Sequence, residues 1–256
     1  MDARLILAVA CLWAAPALAQ GFDHAHAAWD ALLKQHVVVL PGSHASQLRY
    51  DGLARDRAAL KAYLASLSKV DRAEFEGWAK NERKAFLINA YNAFTVEKIL
   101  TRYPDIRSIW DFGKIFGNPF KDDFFNLLGR PMTLDGIEHE TLRKPGAYNE
   151  PRVHYAVNCA AIGCPMLREE AYTAQRLESQ LDEQAQRFLS DRSRNRFRDG
   201  RLEVSKIFDW FKEDFEPHEK YFARYAKVLE YPGGPVPIRF LDYDWALNDY
   251  RSSSRR

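Results

Sequence analysis

Cysteine is scarce in this chain: three cysteines occur in 256 residues, at positions 11, 159 and 164. Cys11 lies in a short apolar stretch near the start, which leaves two thiols for the rest of the chain. Two cysteines are too few for a disulfide-stapled scaffold, so the fold must depend on a hydrophobic core. The composition, 46% hydrophobic and 13% aromatic, is sufficient to build such a core.

An excess of charge of either sign is also missing, since the formal net charge is +2. A nearly neutral chain has no extended basic surface, and the short basic run Arg192–Arg198 is typical of a solvated loop or helix end. We therefore expect no nucleic-acid partner. No set of cysteines and histidines has the spacing of a zinc site, and we predict neither a metal nor another cofactor.

Apolar runs of membrane length are absent as well. A charged start is followed by the apolar run Leu5–Pro16 and by the small residues Ala17–Ala19. This pattern predicts a secretory signal peptide, residues 1–19, cleaved after Ala19. The apolar run is too short to span a membrane, and no longer one follows. We therefore expect a periplasmic or secreted protein without a stable membrane span.

The spacing of apolar residues predicts mainly helices. The longest covers Arg83–Arg102, is apolar around most of its circumference and ends before Pro104. Leu127–Thr133 is typical of a hairpin, and Ile238–Trp245 of an extended segment. Since helices predominate and strands are short, we predict an α+β fold, with residues 20–256 forming a helix-rich single domain with a small sheet.

The segment most informative about function is Arg152–Pro165. Alternating apolar residues predict a short strand over Arg152–Asn158, followed by a turn in which Gly163 allows unusual backbone angles. Cys159 and Cys164 lie five positions apart and could form a disulfide in an oxidising compartment. Alternatively, a thiol beside an imidazole could be a nucleophile activated by a base, or both thiols could be inert.

Polar residues inside otherwise apolar elements are further candidates. Asn89 and Asn92 share one face of the long helix, where they could tie a loop to the helix or line a cleft. Asp135 and Glu138 have the spacing of a capping pair, with Asp135 as the N-cap. His139, next to them, could be a satisfied polar residue or a base.

Buried polar groups need one another as partners. We therefore predict that His139, His154 and Cys164 converge on one cleft, floored by the helix that carries Asn89 and Asn92.

These residues lie in motifs that resemble the family called domain of unknown function 547. The resemblance extends from about His26 to Asn248 and implies no assigned activity. Its motifs are Phe86-Leu-Ile-Asn-Ala-Tyr-Asn-Ala93, Leu134-Asp-Gly-Ile-Glu-His-Glu140, Arg152-Val-His-Tyr-Ala-Val-Asn-Cys159, Gly163-Cys-Pro165, Val204-Ser-Lys-Ile-Phe208, Asp214-Phe215 and Phe240-Leu-Asp-Tyr-Asp-Trp245.

A fainter resemblance is to the papain and transglutaminase superfamily, in which a helix packs against a sheet whose strand carries a histidine. Here Asn89 and Asn92 stand where that superfamily would place its cysteine. The resemblance therefore concerns the fold and assigns no activity.

Two hypotheses of function follow. The first is a thiol-dependent hydrolase or transferase acting on amide, peptide or thiol substrates. Cys164 would be its nucleophile and His154 its base, assisted by Glu138 or His139. We expect Cys164 to be more reactive than Cys159, because a helix beginning within Leu167–Ala171 would stabilise its thiolate.

The second hypothesis is a non-catalytic binding module for a small anionic or thiol ligand such as glutathione. Its cysteines would be paired with each other or would form a mixed disulfide with the ligand. In both hypotheses a small-molecule or peptide ligand contacts Asn89, Asn92, Arg152 and Cys159, with Arg152 pairing with a carboxylate.

Overall fold

The computed structural model describes residues 21–113, 117–215 and 217–250, so the predicted signal peptide lies outside the described residues. The helices are α1 (Ala27–His36), α2 (Tyr50–Arg55), α3 (Arg57–Lys69), α4 (Arg72–Gly77), α5 (Lys80–Leu100), α6 (Leu134–Ile137), α7 (Leu177–Ser190), α8 (Ile207–Trp210), α9 (Lys212–Phe215), α10 (His218–Ala223) and α11 (Ala226–Leu229). Short 3₁₀ helices cover Ile109–Phe112, Pro119–Lys121 and Pro151–Tyr155, and a π-helical turn covers Glu138–Leu142.

The strands are short and form separate small sheets. They are β1 (Val37–Val39), β2 (Ser46–Leu48), β3 (Phe125–Leu127), β4 (Arg130–Met132), β5 (Arg196–Arg198), β6 (Arg201–Val204) and β7 (Ile238–Phe240). β1 pairs with β2, and β3 with β4, in antiparallel hairpins. β6 is antiparallel to β5 and parallel to β7. The prediction of a helix-rich α+β fold with small sheets is confirmed.

The central element is α5, which is buried along nearly its whole length. A helix that is apolar on all sides must be enclosed by other elements, and here α3 packs against it and α1 packs against α3. It begins three residues earlier than predicted. The Glu82 side chain accepts a hydrogen bond from the Ala79 backbone amide at 2.8 Å, which stabilises that first turn.

The predicted strand over Arg152–Asn158 is wrong, because Pro151–Tyr155 forms a 3₁₀ helix. The apolar alternation has a different cause. Val153 packs into the main core around α1, α3 and α5, whereas Tyr155 packs into a second, aromatic core beside α7. The segment therefore lies between two cores, and its polar residues are held at their junction.

The part of the chain that the structure describes contains no helix with the length and apolar character needed to cross a membrane.

Candidate functional site

A cavity of about 500 Å³ opens between α5, α8 and the C-terminal segment that follows β7 and carries Tyr243 and Trp245. This volume is typical of small-molecule sites. Glu138, His139, His154, Cys159 and Cys164 all line it. The three residues predicted to converge, the two histidines and Cys164, therefore do share one cavity.

The two cysteines form a disulfide in the cavity wall, with their Cα atoms 6.2 Å apart. The backbone amide of Cys159 donates a hydrogen bond to the Cys164 sulfur over 2.9 Å. The Tyr243 hydroxyl lies 3.1 Å from the Cys164 sulfur and 3.2 Å from the Cys159 sulfur. Of the alternatives left open by the sequence, the structure therefore contains the paired state.

The surroundings of Cys164 differ from those predicted. No helix begins within Leu167–Ala171, since the next helix is α7, starting at Leu177. The backbone there is tied to other elements instead: the Leu167 carbonyl accepts a hydrogen bond from the Ser46 hydroxyl over 2.7 Å. Cys164 is only 5% exposed, whereas Cys159 is half-buried, the reverse of the expected order.

Gly163 allows the C-terminal segment to lie directly against the cysteine turn. Its amide donates to the Asp244 carbonyl at 2.8 Å, and a Cβ at position 163 would lie 2.9 Å from that oxygen and 3.0 Å from the Tyr243 ring. The left-handed residue of this turn is Ala160, at φ 63°. Gly163 is therefore required for close approach, which brings the Tyr243 hydroxyl to the disulfide.

His154 is buried and stacks on Phe211, with ring centroids 4.2 Å apart. Its Nε2 lies 2.6 Å from Asp214 Oδ2, so we assign the proton to Nε2. Its Nδ1 lies 3.7 Å from Glu138 Oε1. Burial lowers the pKa of His154, although the Asp214 carboxylate opposes this effect. The imidazole is therefore neutral near pH 7, with Nδ1 available as a hydrogen-bond acceptor.

Asp214 is the charged partner in this group. Burial by itself would raise its pKa, but hydrogen bonds from His154 and Arg143 outweigh burial and hold it below the ordinary value. Arg143 Nε donates to the same Asp214 oxygen over 2.6 Å, and its guanidinium lies 4.6 Å from the centroid of the Phe211 ring. Asp214 therefore remains a carboxylate that fixes both the imidazole and the guanidinium.

Glu138 does not complete a capping pair, and Asp135 is not the cap. Thr133 caps α6 instead, its hydroxyl accepting from the Gly136 amide at 2.8 Å. Glu138 is carried into the interior by the turn that follows α6. There burial raises its pKa to about 7, against the opposing effects of Arg143 and of a hydrogen bond with Tyr91.

His139 lies at the edge of the cavity with 40% of its side chain exposed. Its Nδ1 accepts a hydrogen bond from Arg143 Nη1, and its Nε2 lies 3.8 Å from Asp135. Burial and the Arg143 charge lower its pKa, while Asp135 opposes them. His139 is thus linked to His154 through Arg143 and Asp214.

The two asparagines of α5 do not line the cavity, so the expected cleft floor needs correction. Both amide atoms of Asn89 bond the backbone of Tyr172, at 2.8 and 3.1 Å. Asn92 donates to the Ala156 carbonyl at 2.9 Å and accepts from the Asn158 amide at 2.8 Å. Both therefore tie loops to the helix, which the sequence allowed as an alternative, and α5 contributes Tyr91 to the cavity instead.

Arg152 also lies outside the cavity lining. Its guanidinium is engaged by three carboxylates: Glu150 at 2.5 Å, Glu178 at 2.6 Å and Asp182 at 2.7 Å. The last two belong to α7, so Arg152 fixes the 3₁₀ helix to α7. Its planar donors already have carboxylate partners within the protein.

Aromatic rings form the mouth of the cavity, a feature that the sequence interpretation missed. Trp245 lies 5.3 Å from Trp110, 5.6 Å from Trp210 and 4.6 Å from Tyr243, measured between ring centroids. Trp110 and Trp210 are 39% and 42% exposed, unusual for rings of this size. Asp214 and Tyr243 lie in recognised motifs, but no sequence signal paired them with His154 and the cysteines.

Among the described residues, no group of three or more histidine, cysteine, aspartate or glutamate side chains could hold a metal ion.

Fold and site together define a helix-rich α+β protein with a disulfide-walled, aromatic cavity. Residues 75–189, fewer than half of the chain, match the family described as "Protein of unknown function, DUF547", which supports the resemblance over this segment. No curated protein and no solved structure matched the chain. The matched segment contains His154 and both cysteines, whereas Asp214 and Tyr243 lie beyond it. The resemblance to the papain and transglutaminase superfamily remains a prediction.

Proposed function

We propose that this protein is a binding module for a small thiol ligand, such as glutathione or a short cysteine-containing peptide. The observation that carries the proposal is the Cys159–Cys164 disulfide in the wall of a small-molecule-sized cavity. A thiol group bound there would face the sulfurs, and the rest of the ligand would contact the aromatic rings at the mouth.

The chemistry of the lining supports a thiol ligand over a simple anion. Among the described residues that line the cavity there is no lysine or arginine, whereas Asp135 and Glu138 contribute carboxyl groups. The ammonium group of glutathione can pair with such carboxyl groups, while its two carboxylates would have to lie in solvent beyond the mouth of the cavity. The exposed faces of Trp110 and Trp210 attract cations as well as apolar groups.

A cysteine-dependent hydrolase or transferase is the second candidate, favoured by the presence of His154 and Cys164 in the same cavity. Two observations favour binding over this alternative. Cys164 is bonded to Cys159 and is not a thiolate in this state. Nε2 of His154 bonds Asp214, and no hydrogen bond among the described residues joins either cavity imidazole to a sulfur.

Export to the periplasm or beyond is part of the proposal. An oxidising compartment keeps a disulfide closed, whereas cytosolic reductants would open it. The pattern of residues 1–19 supports this location.

The binding proposal is tested with S-methylglutathione, a thioether that cannot exchange with a disulfide. We expect titration calorimetry of the oxidised protein to show saturable binding, and Trp210→Ala to weaken it at least fivefold. Ile162→Ala is the matched control, because Ile162 is a 44% exposed apolar side chain outside the cavity lining. Absence of binding at millimolar ligand, or equal weakening by both variants, would contradict the proposal.

The enzyme alternative is tested on the reduced protein with amide and thioester substrates. Under the binding proposal, turnover is absent or identical in wild type and Cys164→Ser. Turnover that is lost in both Cys164→Ser and His154→Ala would instead establish the hydrolase or transferase.

A further inference from the structure

We infer that the Cys159–Cys164 disulfide is a thiol-exchange centre in which an incoming thiolate attacks Cys159 and Cys164 leaves as a thiolate held by Tyr243. The inference rests on the proposed function for the source of the thiol, namely the ligand bound in the cavity. It adds a reaction to that binding site and assigns a role to Tyr243.

The polar groups around the two sulfurs are distributed unequally. The Cys164 sulfur receives the Cys159 amide at 2.9 Å and lies 3.1 Å from the Tyr243 hydroxyl. Among the described residues, the Cys159 sulfur has only that same hydroxyl as a polar partner, at 3.2 Å. A thiolate is a far stronger acceptor than a disulfide sulfur, since hydrogen bonds to ionised groups are roughly twice as strong. These donors therefore stabilise Cys164 most after the disulfide has opened.

Tyr243 keeps its proton at neutral pH, because burial of its hydroxyl raises its pKa well above the ordinary value. The hydroxyl therefore donates a hydrogen bond to the Cys164 thiolate and does not repel it as a phenolate would. Its position is fixed by the close approach at Gly163 and by the rings of Trp210 and Trp245, whose centroids lie 4.8 and 4.6 Å from its own.

Exposure assigns the attacked sulfur. Cys159 is half-buried and Cys164 is 5% exposed, and both line the cavity. Since Cys159 is the more exposed of the two cavity-lining cysteines, we infer that an incoming nucleophile reaches it more readily. The buried sulfur is then the leaving group, which is also the sulfur with the additional donor.

The exchange needs no oxidant or reductant other than the incoming thiolate. The incoming thiolate forms a bond to the Cys159 sulfur while the Cys159–Cys164 bond breaks. The electron pair of the broken bond passes to the Cys164 sulfur. The products are a mixed disulfide on Cys159 and the Cys164 thiolate. A leaving thiol that is better stabilised as its anion leaves faster, and a stabilised reduced form makes the disulfide more oxidising.

The first test compares wild type with Tyr243→Phe, using dithiothreitol as the reductant. Loss of one charge-assisted hydrogen bond should lower the equilibrium constant for reduction about tenfold, which corresponds to 29.6 mV for this two-electron couple. The rate of opening should also fall. The control is Tyr148→Phe, a half-buried tyrosine outside the cavity lining, which should match wild type. Equal potentials and rates in all three proteins would overturn the role of Tyr243.

The second test needs no variant. Oxidised wild-type protein is treated briefly with glutathione, quenched with an alkylating agent, digested and mapped by tandem mass spectrometry. We expect glutathione on Cys159 and the alkyl group on Cys164. Glutathione on Cys164, or a disulfide that glutathione opens only in the globally unfolded protein, would overturn the inference.

The two proposals can fail separately. If S-methylglutathione does not bind but Tyr243→Phe still alters reduction by dithiothreitol, the ligand proposal is wrong and the exchange centre remains. If S-methylglutathione binds but Tyr243→Phe has no effect and no adduct forms on Cys159, the binding module remains and the exchange centre is wrong.

Discussion

Replacing Glu138 with glutamine should remove a pH-dependent loss of stability. The carboxyl group is buried, and its pKa in the folded protein is about 7, raised mainly by burial from the ordinary 4.5. Folding therefore favours the protonated form. A glutamine has nearly the same shape as that form and carries no charge at any pH.

The sign and size of the effect follow from linkage between protonation and folding. Because the folded-state pKa is raised, the stabilisation is fully present below about pH 4.5 and is lost as the pH rises through about 7. The difference between 4.5 and about 7, at 1.36 kcal/mol per pH unit, corresponds to roughly 3 kcal/mol. Asp214, whose pKa is held low, contributes with the opposite sign, so the useful quantity is the difference between wild type and variant.

The assay is urea-induced unfolding at pH 5 and pH 8. We expect Glu138→Gln and wild type to agree within about 1 kcal/mol at pH 5, and the variant to be more stable by about 3 kcal/mol at pH 8. Glu140→Gln, on the exposed side of the same turn, is the control and should show no such change between the two pH values. A difference between wild type and Glu138→Gln that is the same at both pH values would refute the argument.

Two further predictions concern residues that the structure places outside the cavity. Asn92→Ala should lower the free energy of unfolding by about 2–5 kcal/mol, because it leaves the buried Ala156 carbonyl and Asn158 amide without partners. Asn126→Ala, at an exposed strand position, is the control and should lower it by less than about 0.5 kcal/mol. Equal losses of unfolding free energy in Asn92→Ala and Asn126→Ala, measured by urea unfolding, would contradict the role of Asn92 in holding the loop to α5. Arg152→Ala should leave the affinity for S-methylglutathione within twofold of wild type in calorimetry, because the Arg152 guanidinium already bonds Glu150, Glu178 and Asp182. A tenfold loss of affinity would show that Arg152 contacts the ligand.

The sequence determined those elements whose causes are local. The helix α5 is long and apolar on all sides, and its extent was predicted to within three residues at each end because periodicity and Pro104 are read from neighbouring positions. The β3–β4 hairpin was likewise found at its predicted place. Asp71 caps α4 through an equally local contact, its side chain accepting from the Glu74 amide at 2.8 Å. Each of these depends on residues within a few positions of one another.

The sequence also identified part of the cavity wall. Glu138, His139, His154 and the two cysteines were singled out as polar or reactive residues inside apolar surroundings, and all of them line one cavity. The same criterion selected Asn89 and Asn92, which bond backbone groups elsewhere. A buried amide satisfies its hydrogen bonds equally well in either role, so its type and spacing cannot distinguish a ligand contact from a loop tie.

Only the tertiary structure decided which distant groups meet. Residues 152–158 carry a strand-like alternation, yet they lie between two cores and pair with no strand of the described chain. Packing against the two cores therefore determined their conformation. Asp214 reaches His154 across 60 positions, and Tyr243 reaches Cys164 across 79. Such contacts depend on how helices and loops pack, and Gly163 shows the reason: its missing side chain matters because a backbone 81 positions away, at Asp244, occupies the space.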